Sequence, residues 1–364
     1  MNLTFQEAAR KYARDEITSL SESEAGRRFL LLRSLSRREY LEKLVADYNL
    51  LLSSSKPREL FPAIYASSLS VEKIKGAIKS IFSVERAVRA ATEGELINEL
   101  YKMKEFYWGG LHQNSLEKTI VDNYVKRIRN FEELNKKIDK EIYESMRGYV
   151  RCTWYNHWTA IIIEDIFKEH KNVLPAVGLI KKVDFFIRDV PFDLKVTPLP
   201  EGYIKEQRKT AGRKPELTLL KQACRHRHLK IDQDFSESEL LGHLWSVVAD
   251  QPDKDAKDLI EDLRKFRLHL TAEIEDAPQN LIRWLYENQG VRRFDASNRL
   301  FLVLVNETNF FESWQLKRNK ALLVKGIGEY LDKAGPHPGI DVTFAWEDAT
   351  YTTRSAVILI RHRG

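Results

Sequence analysis

The sequence predicts an α/β (α+β) fold: a mixed sheet flanked by helices, behind a helical N-terminal region and interrupted by a helical insertion. Three observations predict it. Residues 299–305 (RLFLVLV) are almost unbroken apolar sequence, the pattern of a strand covered on both faces. Two shorter strand-like stretches, 183–187 (VDFFI) and 191–197 (PFDLKVT), stand close together with a turn-like link between them. Up to about residue 150, apolar residues recur at helical spacing and Gly and Pro are sparse.

The elements follow in order. Phe29, Leu30, Leu32 and Leu35, then Tyr40, Leu41, Leu44, Val45 and Tyr48, mark two amphipathic helices, and Ser53-Ser54-Ser55-Lys56-Pro57 breaks the pattern. Further helices are expected over 71–91 and from Ser115 through Val125, and one or two long ones over 131–170. Strand signals begin near Leu179 and continue to about Pro198. Residues 203–275 are polar, basic and helix-like, with a capping box at Ser236–Glu239 and a loop over 249–253. Leu281 to Tyr286 resumes an amphipathic helix. After the buried strand, Phe311, Trp314, Leu322, Leu323, Ile327, Tyr330 and Leu331 mark a helix that Gly335-Pro336-His337-Pro338-Gly339 stops. Two closing strands, 342–346 and 356–360, complete the sheet. The expected division is a helical region over 1–130, a core from 131–202 and 276–364, and a basic insertion over 203–275.

Composition narrows the class. The chain has 364 residues, 43% hydrophobic and 31% charged, enough for a real core. Its net charge of +6 suits a polyanionic partner without requiring one. Two distant cysteines, Cys152 and Cys224, argue against a disulfide framework or a cysteine zinc site. The first residues hold early acids and no apolar core of a signal peptide, and no uncharged run suffices to span a bilayer. A cytoplasmic protein with no membrane partner is expected. A glycine-rich phosphate loop followed by Lys-Ser/Thr is lacking, so no nucleotide cofactor is expected, and a G-x-S-x-G elbow is also missing.

Chemistry concentrates in the predicted hairpin. Period-two alternation sets Phe192, Leu194 and Val196 on one face and Asp193, Lys195 and Thr197 on the other. In the first stretch Val183, Phe185 and Ile187 share a face, leaving Asp184 with Phe186. Upstream, Glu164 lies inside the apolar run of a helix, where a carboxylate needs a partner or a metal. Glu144, Asp165 and Glu169 are alternatives to it, and membership of a structural ion pair is the other reading of Glu164. For the hairpin acids and lysine, the alternative is the solvated face of a half-exposed sheet.

Glu164 on a helix, Asp184 on a strand and Asp193-Leu194-Lys195 on the next resemble the PD-(D/E)XK nuclease superfamily, and type II restriction endonucleases within it. The D-x-K half matches in full, while Val183 stands where the family name has proline. The resemblance covers roughly 131–200 and 276–364. It implies a restriction-endonuclease-like core and Mg²⁺-dependent hydrolysis of double-stranded DNA by a homodimer. It also implies Asp184, Asp193, the Leu194 carbonyl and Glu164 as metal ligands, with Lys195 on the attacking water. Mg²⁺ prefers oxygen donors, and a bound Mg²⁺ polarises phosphate and acidifies water. No general base is assigned. Other enzymes of the superfamily, serving repair, transposition or phage defence, and a non-catalytic DNA-binding protein are the rival readings.

Lys205, Arg208, Lys209, Arg213 and Lys214 form the densest basic run, shortly after the predicted active strand. A flexible loop there would contact DNA phosphates; a solvated loop is the alternative. Arg127, Arg129, Arg147 and Arg151 are read either as a groove-facing set or as exposed helix charges. Cys224-Arg225-His226-Arg227-His228 has spacings too short for a zinc site and reads as a basic surface segment.

Overall fold

The computed structural model describes residues 3–52, 56–108, 118, 120–178, 180–231, 236–288, 298–346 and 349–364. Ser53 to Ser55, residues 115–117 and Leu179, which figured in the expectations above, lie outside the described residues. The chain divides into two compact units. One comprises Met1–Ala91, Glu164–Thr210 and Arg264–Gly364; the other comprises Thr92–Ile163 and Ala211–Leu263.

In the first unit, α1 (Phe5–Ala13), α2 (Ile17–Ser21), α3 (Glu24–Ser34), α4 (Arg38–Asp47), α5 (Pro57–Ala66) and the start of α6 (Val71–Tyr101) form the N-terminal layer. Thr4 and Glu7 close a capping box on α1, and Ser23 caps α3. Phe29, Leu30, Ile74 and Ile78 of this layer share one apolar cluster with Leu174, Val177, Ile180, Val183 and Phe186. Val177 N–H donates to Ser34 Oγ at 3.0 Å and Lys181 N–H to Tyr12 Oη at 2.7 Å. At Gly178 an added Cβ would come within 2.1 Å of the Ser34 carbonyl oxygen, so the chain can approach α3 this closely only with glycine. The N-terminal helices are thus not a region of their own, as the 1–130 boundary expected. The apolar hairpin needs their cover.

Among the described residues, six strands form one mixed sheet in the order β1-β2-β3-β4-β6-β5. They are β1 (Val173–Pro175), β2 (Phe185–Ile187), β3 (Val190–Pro198), β4 (Arg299–Asn306), β5 (Ile340–Trp346) and β6 (Ala349–His362). β1, β2 and β3 run antiparallel, β3–β4 and β4–β6 are parallel, and β5 returns antiparallel on β6. The β2–β3 link is a two-residue turn: Arg188 and Asp189 have φ of 50° and 68°, the left-handed pair of a type I′ hairpin. All eight residues of β4 are buried, as a parallel strand covered on both faces must be.

Helices cover both faces. Phe301, Val303 and Val305 meet Tyr203 and Ile204 of α9 (Glu201–Thr210), Leu270 and Ile274 of α12 (Lys254–Asp276) and Leu285 of α13 (Gln279–Asn288). On α14 (Lys320–Lys333), Leu323, Ile327 and Leu331 are buried, and Gly326 lies against Ile360 so tightly that a Cβ would come within 2.3 Å.

The second unit holds α7 (Phe131–Lys137), most of α8 (Tyr143–Lys168), α10 (Glu216–His226), α11 (Glu237–Ala249) and the start of α12. Its buried residues include Cys152, Tyr155, Leu220, Cys224, Leu244 and Val248. The capping box at Ser236 and Glu239 forms as expected. Residues 131–163 belong with the insertion rather than with the sheet, because Tyr149 and Tyr155 bury against Trp108 and Phe106 of the same unit.

Candidate active site

The site is built where α8 ends and β2 and β3 separate. Ile162, Ile163, Ile166 and Phe167 are buried, and the Phe167 ring stacks on Phe185 with centroids 4.8 Å apart. That stack fixes the last turn of α8 against the strand beside Asp184. Glu164, one turn earlier, is then carried to the same end of β2. Its Oε2 accepts from Lys168 Nζ at 2.7 Å, an i,i+4 pair on the helix.

Asp184 continues the ladder past β2. Its N–H donates to the Phe192 carbonyl at 2.9 Å and its carbonyl accepts from Ala176 at 3.2 Å. The β2–β3 ladder ends with Phe185 opposite Phe192, and Asp184 just beyond it lies close enough to Asp193 for the two carboxylates to repel. Beyond this point β2 offers β3 no further partner. The Leu194 N–H donates instead to Asp184 Oδ2 at 2.7 Å. Because the N–H and C=O of one strand residue point the same way, the Leu194 carbonyl faces the same side.

Asp193 lies in β3 with its side chain 10% exposed. Lys195 Nζ donates to its Oδ1 at 2.5 Å and lies 3.4 Å from the Leu194 carbonyl. Arg299, the register partner of Asp193 on β4, brings Nε to 3.8 Å from Oδ2. The Arg299 guanidinium lies over the Tyr286 ring at 4.7 Å, and Tyr286 Oη is 2.8 Å from Ser355 Oγ. Asp193 is therefore oriented from two strands at once.

These groups act on one another. Burial, then the charges of Glu164 and Asp193, push the Asp184 carboxyl up to about 6, against the pull of the Leu194 N–H and Lys168. Glu164 and Asp193 each have a cationic neighbour. Among the described residues Asp184 has none within ion-pair distance.

The structure thus brings together Glu164, Asp184, Asp193, Leu194 and Lys195. It also separates Glu164 from its alternatives. Asp165 is held by Arg89 through two hydrogen bonds of 2.8 and 2.7 Å, Glu169 by Arg86 at 2.8 Å, and Glu144 is exposed beside Arg147. Lys168 and Arg299 were missed. Lys168 follows Glu164 at helical pairing distance, and a buried arginine opening an apolar strand requires an anion. Both signals were present in the sequence.

The basic run is corrected in part. Lys205, Arg208 and Lys209 lie on α9, not in a loop, and Arg208 is 1% exposed with its guanidinium 4.8 Å from the Phe266 ring centroid. It is a packing residue rather than a surface contact. Lys205 and Lys209 are exposed, as are Arg213 and Lys214 in the second unit, where Arg213 is 3.0 Å from Asp262. Cys224 is buried on α10, and Arg227 pairs with Asp253, so this segment is not wholly surface.

Among the described residues, no group of three or more His, Cys, Asp and Glu side chains is arranged to hold a metal ion, and no helix is long and apolar enough to cross a membrane. The donors that fit a hard divalent cation are two carboxylates and a backbone carbonyl: Asp184, Asp193 and Leu194. They are all oxygen, and among the described residues no cation stands within ion-pair distance of Asp184. Comparison of the chain with protein-family models, curated proteins and solved structures finds no match.

Proposed function

We propose that this protein is a Mg²⁺-dependent endonuclease of restriction-endonuclease-like fold that hydrolyses double-stranded DNA at the Asp184, Asp193 and Lys195 cluster. The observation that carries the reading is the convergence of Asp184, which accepts from the Leu194 N–H, with Asp193, Lys195 and the Leu194 carbonyl where β2 leaves β3. An ordinary wet sheet face would not bury Asp193 to this degree or leave Asp184 without a cation.

Asp184, Asp193 and the Leu194 carbonyl would hold the metal, with Glu164 reaching it directly or through a water. A Mg²⁺ held by these residues would supply Lewis-acid polarisation of the phosphate and a more acidic water. Lys195, 40% exposed at its side chain, is free to swing from Asp193 once that carboxylate has another cation. It then orients the attacking water and offsets the charge that builds on the phosphate oxygens. Arg299 holds Asp193 in place from β4. Exposed Lys205 and Lys209 of the first unit would supply phosphate contacts without sequence information, and Arg213 and Lys214 are exposed candidates on the second unit by itself. The sequence-reading role falls to the insertion, and a homodimer would match a palindromic site.

A second reading has one specific observation behind it. Glu164 and Asp193 are each already paired with a lysine, as they would be in a non-catalytic DNA-binding protein. A plasmid digest separates the two. Purified protein with Mg²⁺ should give discrete fragments and EDTA should stop it; ragged degradation points to a nuclease of another role. DNA binding indifferent to Mg²⁺, with no cleavage over a long incubation, would establish the second reading.

A further inference from the structure

A cleft of about 530 Å³ lies at the N-terminal ends of β3 and β4. Its wall includes Arg27 of α3, Arg188 at the hairpin tip, and Val190 and Asn298 at the strand starts. The volume suits a ligand of nucleotide size.

Its charges are not all committed. Asp189 is held by Lys75 at 2.7 Å, and Asp341 is held by Arg354 through two hydrogen bonds of 2.9 Å. The Arg188 guanidinium has no hydrogen bond or ion pair among the described residues, and Arg27 spends one N–H on the Ser21 carbonyl at 3.0 Å. Against these two guanidinium groups stands one uncommitted carboxylate in the wall, Glu22. Asn298, 2% exposed, has an Oδ1 with no hydrogen-bond partner among the described residues. Guanidinium forks match phosphate oxygens, and an unanswered acceptor nearby suits the N–H or O–H of a base or sugar.

Register ties the cleft to the acids. Asp193, Arg299 and Ser355 stand in one row across β3, β4 and β6. Thr353, in the cleft wall, lies two residues before Ser355 on the same face, and Val190 lies three before Asp193. At roughly 3.3 Å per residue the cleft is about 10 Å from Asp193 along β3.

We propose that this cleft binds a phosphate-bearing nucleotide, with Arg27 and Arg188 on the phosphate. In a DNA strand cut beside Asp193, that nucleotide would sit about three steps away, at about 3.4 Å per step. Only this placement in a strand rests on the nuclease reading; the affinity for a nucleotide phosphate does not.

The test uses the full chain in EDTA, so that DNA is bound and not cut. Binding of a duplex oligonucleotide is read by fluorescence anisotropy across a salt series, and binding of AMP by calorimetry. Arg188→Ala should weaken duplex binding about tenfold and reduce the salt slope by about 0.9, one phosphate contact. Glu22→Gln should tighten it. If only AMP binding falls, the cleft takes a free nucleotide. If Arg188→Ala and the Arg27→Ala/Arg188→Ala double variant leave both ligands unaffected, or the parent chain binds neither, the proposal is overturned. Plasmid cleavage is scored separately: an inactive parent whose AMP binding depends on Arg188 defeats the nuclease reading alone, and an active parent indifferent to Arg188 defeats the cleft alone.

Discussion

Two sets of acids and bases meet at the C-terminal end of α8, and they are built to opposite designs. Glu164 and Asp165 are neighbours on that helix, about 100° apart around it, and each belongs to a different set. Asp165 and Glu169 are matched by Arg89 and Arg86, with bonds of 2.7 to 2.8 Å tying α8 to α6. Glu164 and Asp193 are matched by lysines and Arg299, whereas Asp184, among the described residues, has a backbone N–H and no ion pair, and is pushed up to about 6. Complete pairing by planar guanidinium groups is what a structural clamp needs. Incomplete pairing, held by packing on several elements, is what a cation-binding site needs. The contrast separates acids that a sequence reading treats as equivalents.

The largest expected effect breaks the proposed catalytic set without touching the clamp. Lys195→Ala and Asp193→Ala should each lower plasmid cleavage by about 10² to 10³ or more, with melting temperatures close to the parent. Full activity in either variant, measured by fragment yield over time, would remove the site assignment.

The clamp should respond in the other currency. Asp165→Ala leaves Arg89 without its acid and takes from Arg86 the farther of its two acids, Glu169 remaining. It should cost about 2–3 kcal/mol of stability, below the range for a fully buried pair because Arg89 is a third exposed, and spare the turnover of folded protein. Urea unfolding and cleavage per folded molecule check this together.

Asp184 gives a test of comparable size with an opposite sign. Its folded pKa of about 6 lies above the unfolded 3.8, so the folded state binds the proton more tightly. That contribution is full below about pH 3.8 and is lost as pH rises through 6. In EDTA, Asp184→Asn should therefore be more stable than the parent at pH 8, by roughly 2–3 kcal/mol as an upper value. The gap should close below pH 4. Mg²⁺ should stabilise the parent and not the variant. Thermal melts over pH, with and without Mg²⁺, decide it.

The smallest effect belongs to Lys168. Its charge lowers the Asp184 pKa and it partners Glu164. Lys168→Ala should move the acid limb of the pH–rate profile upward by a fraction of a unit to about one unit, with a modest loss of rate. An unmoved limb would make Lys168 a bystander.

Much of the sheet was legible because its strands carry one-dimensional signals. β4 announces itself by burial on both faces, and the hairpin by alternation around a turn. The candidate acids were legible for the same reason: a carboxylate in apolar sequence is conspicuous. What lay outside the sequence pattern was choice of partner. Periodicity identifies the buried face of a helix but not what covers it, so residues 131–163 were assigned to the sheet and pack in the second unit. Arg208 reads as a surface charge until Phe266 is placed beneath its guanidinium. Glu164 and Asp165 differ only in which arginines or strands stand opposite them, which follows from α6 and β2 far away in the chain.

Calorimetric titration with Mn²⁺, a close stand-in for Mg²⁺, tests the difference between the two sets most directly. The parent chain and Asp165→Asn should bind the ion alike, while the Asp184→Asn/Asp193→Ala double variant, folded by circular dichroism, should not. Equal binding by all three, or none by the parent, would contradict the claim that the unmatched acids form a cation-dependent site.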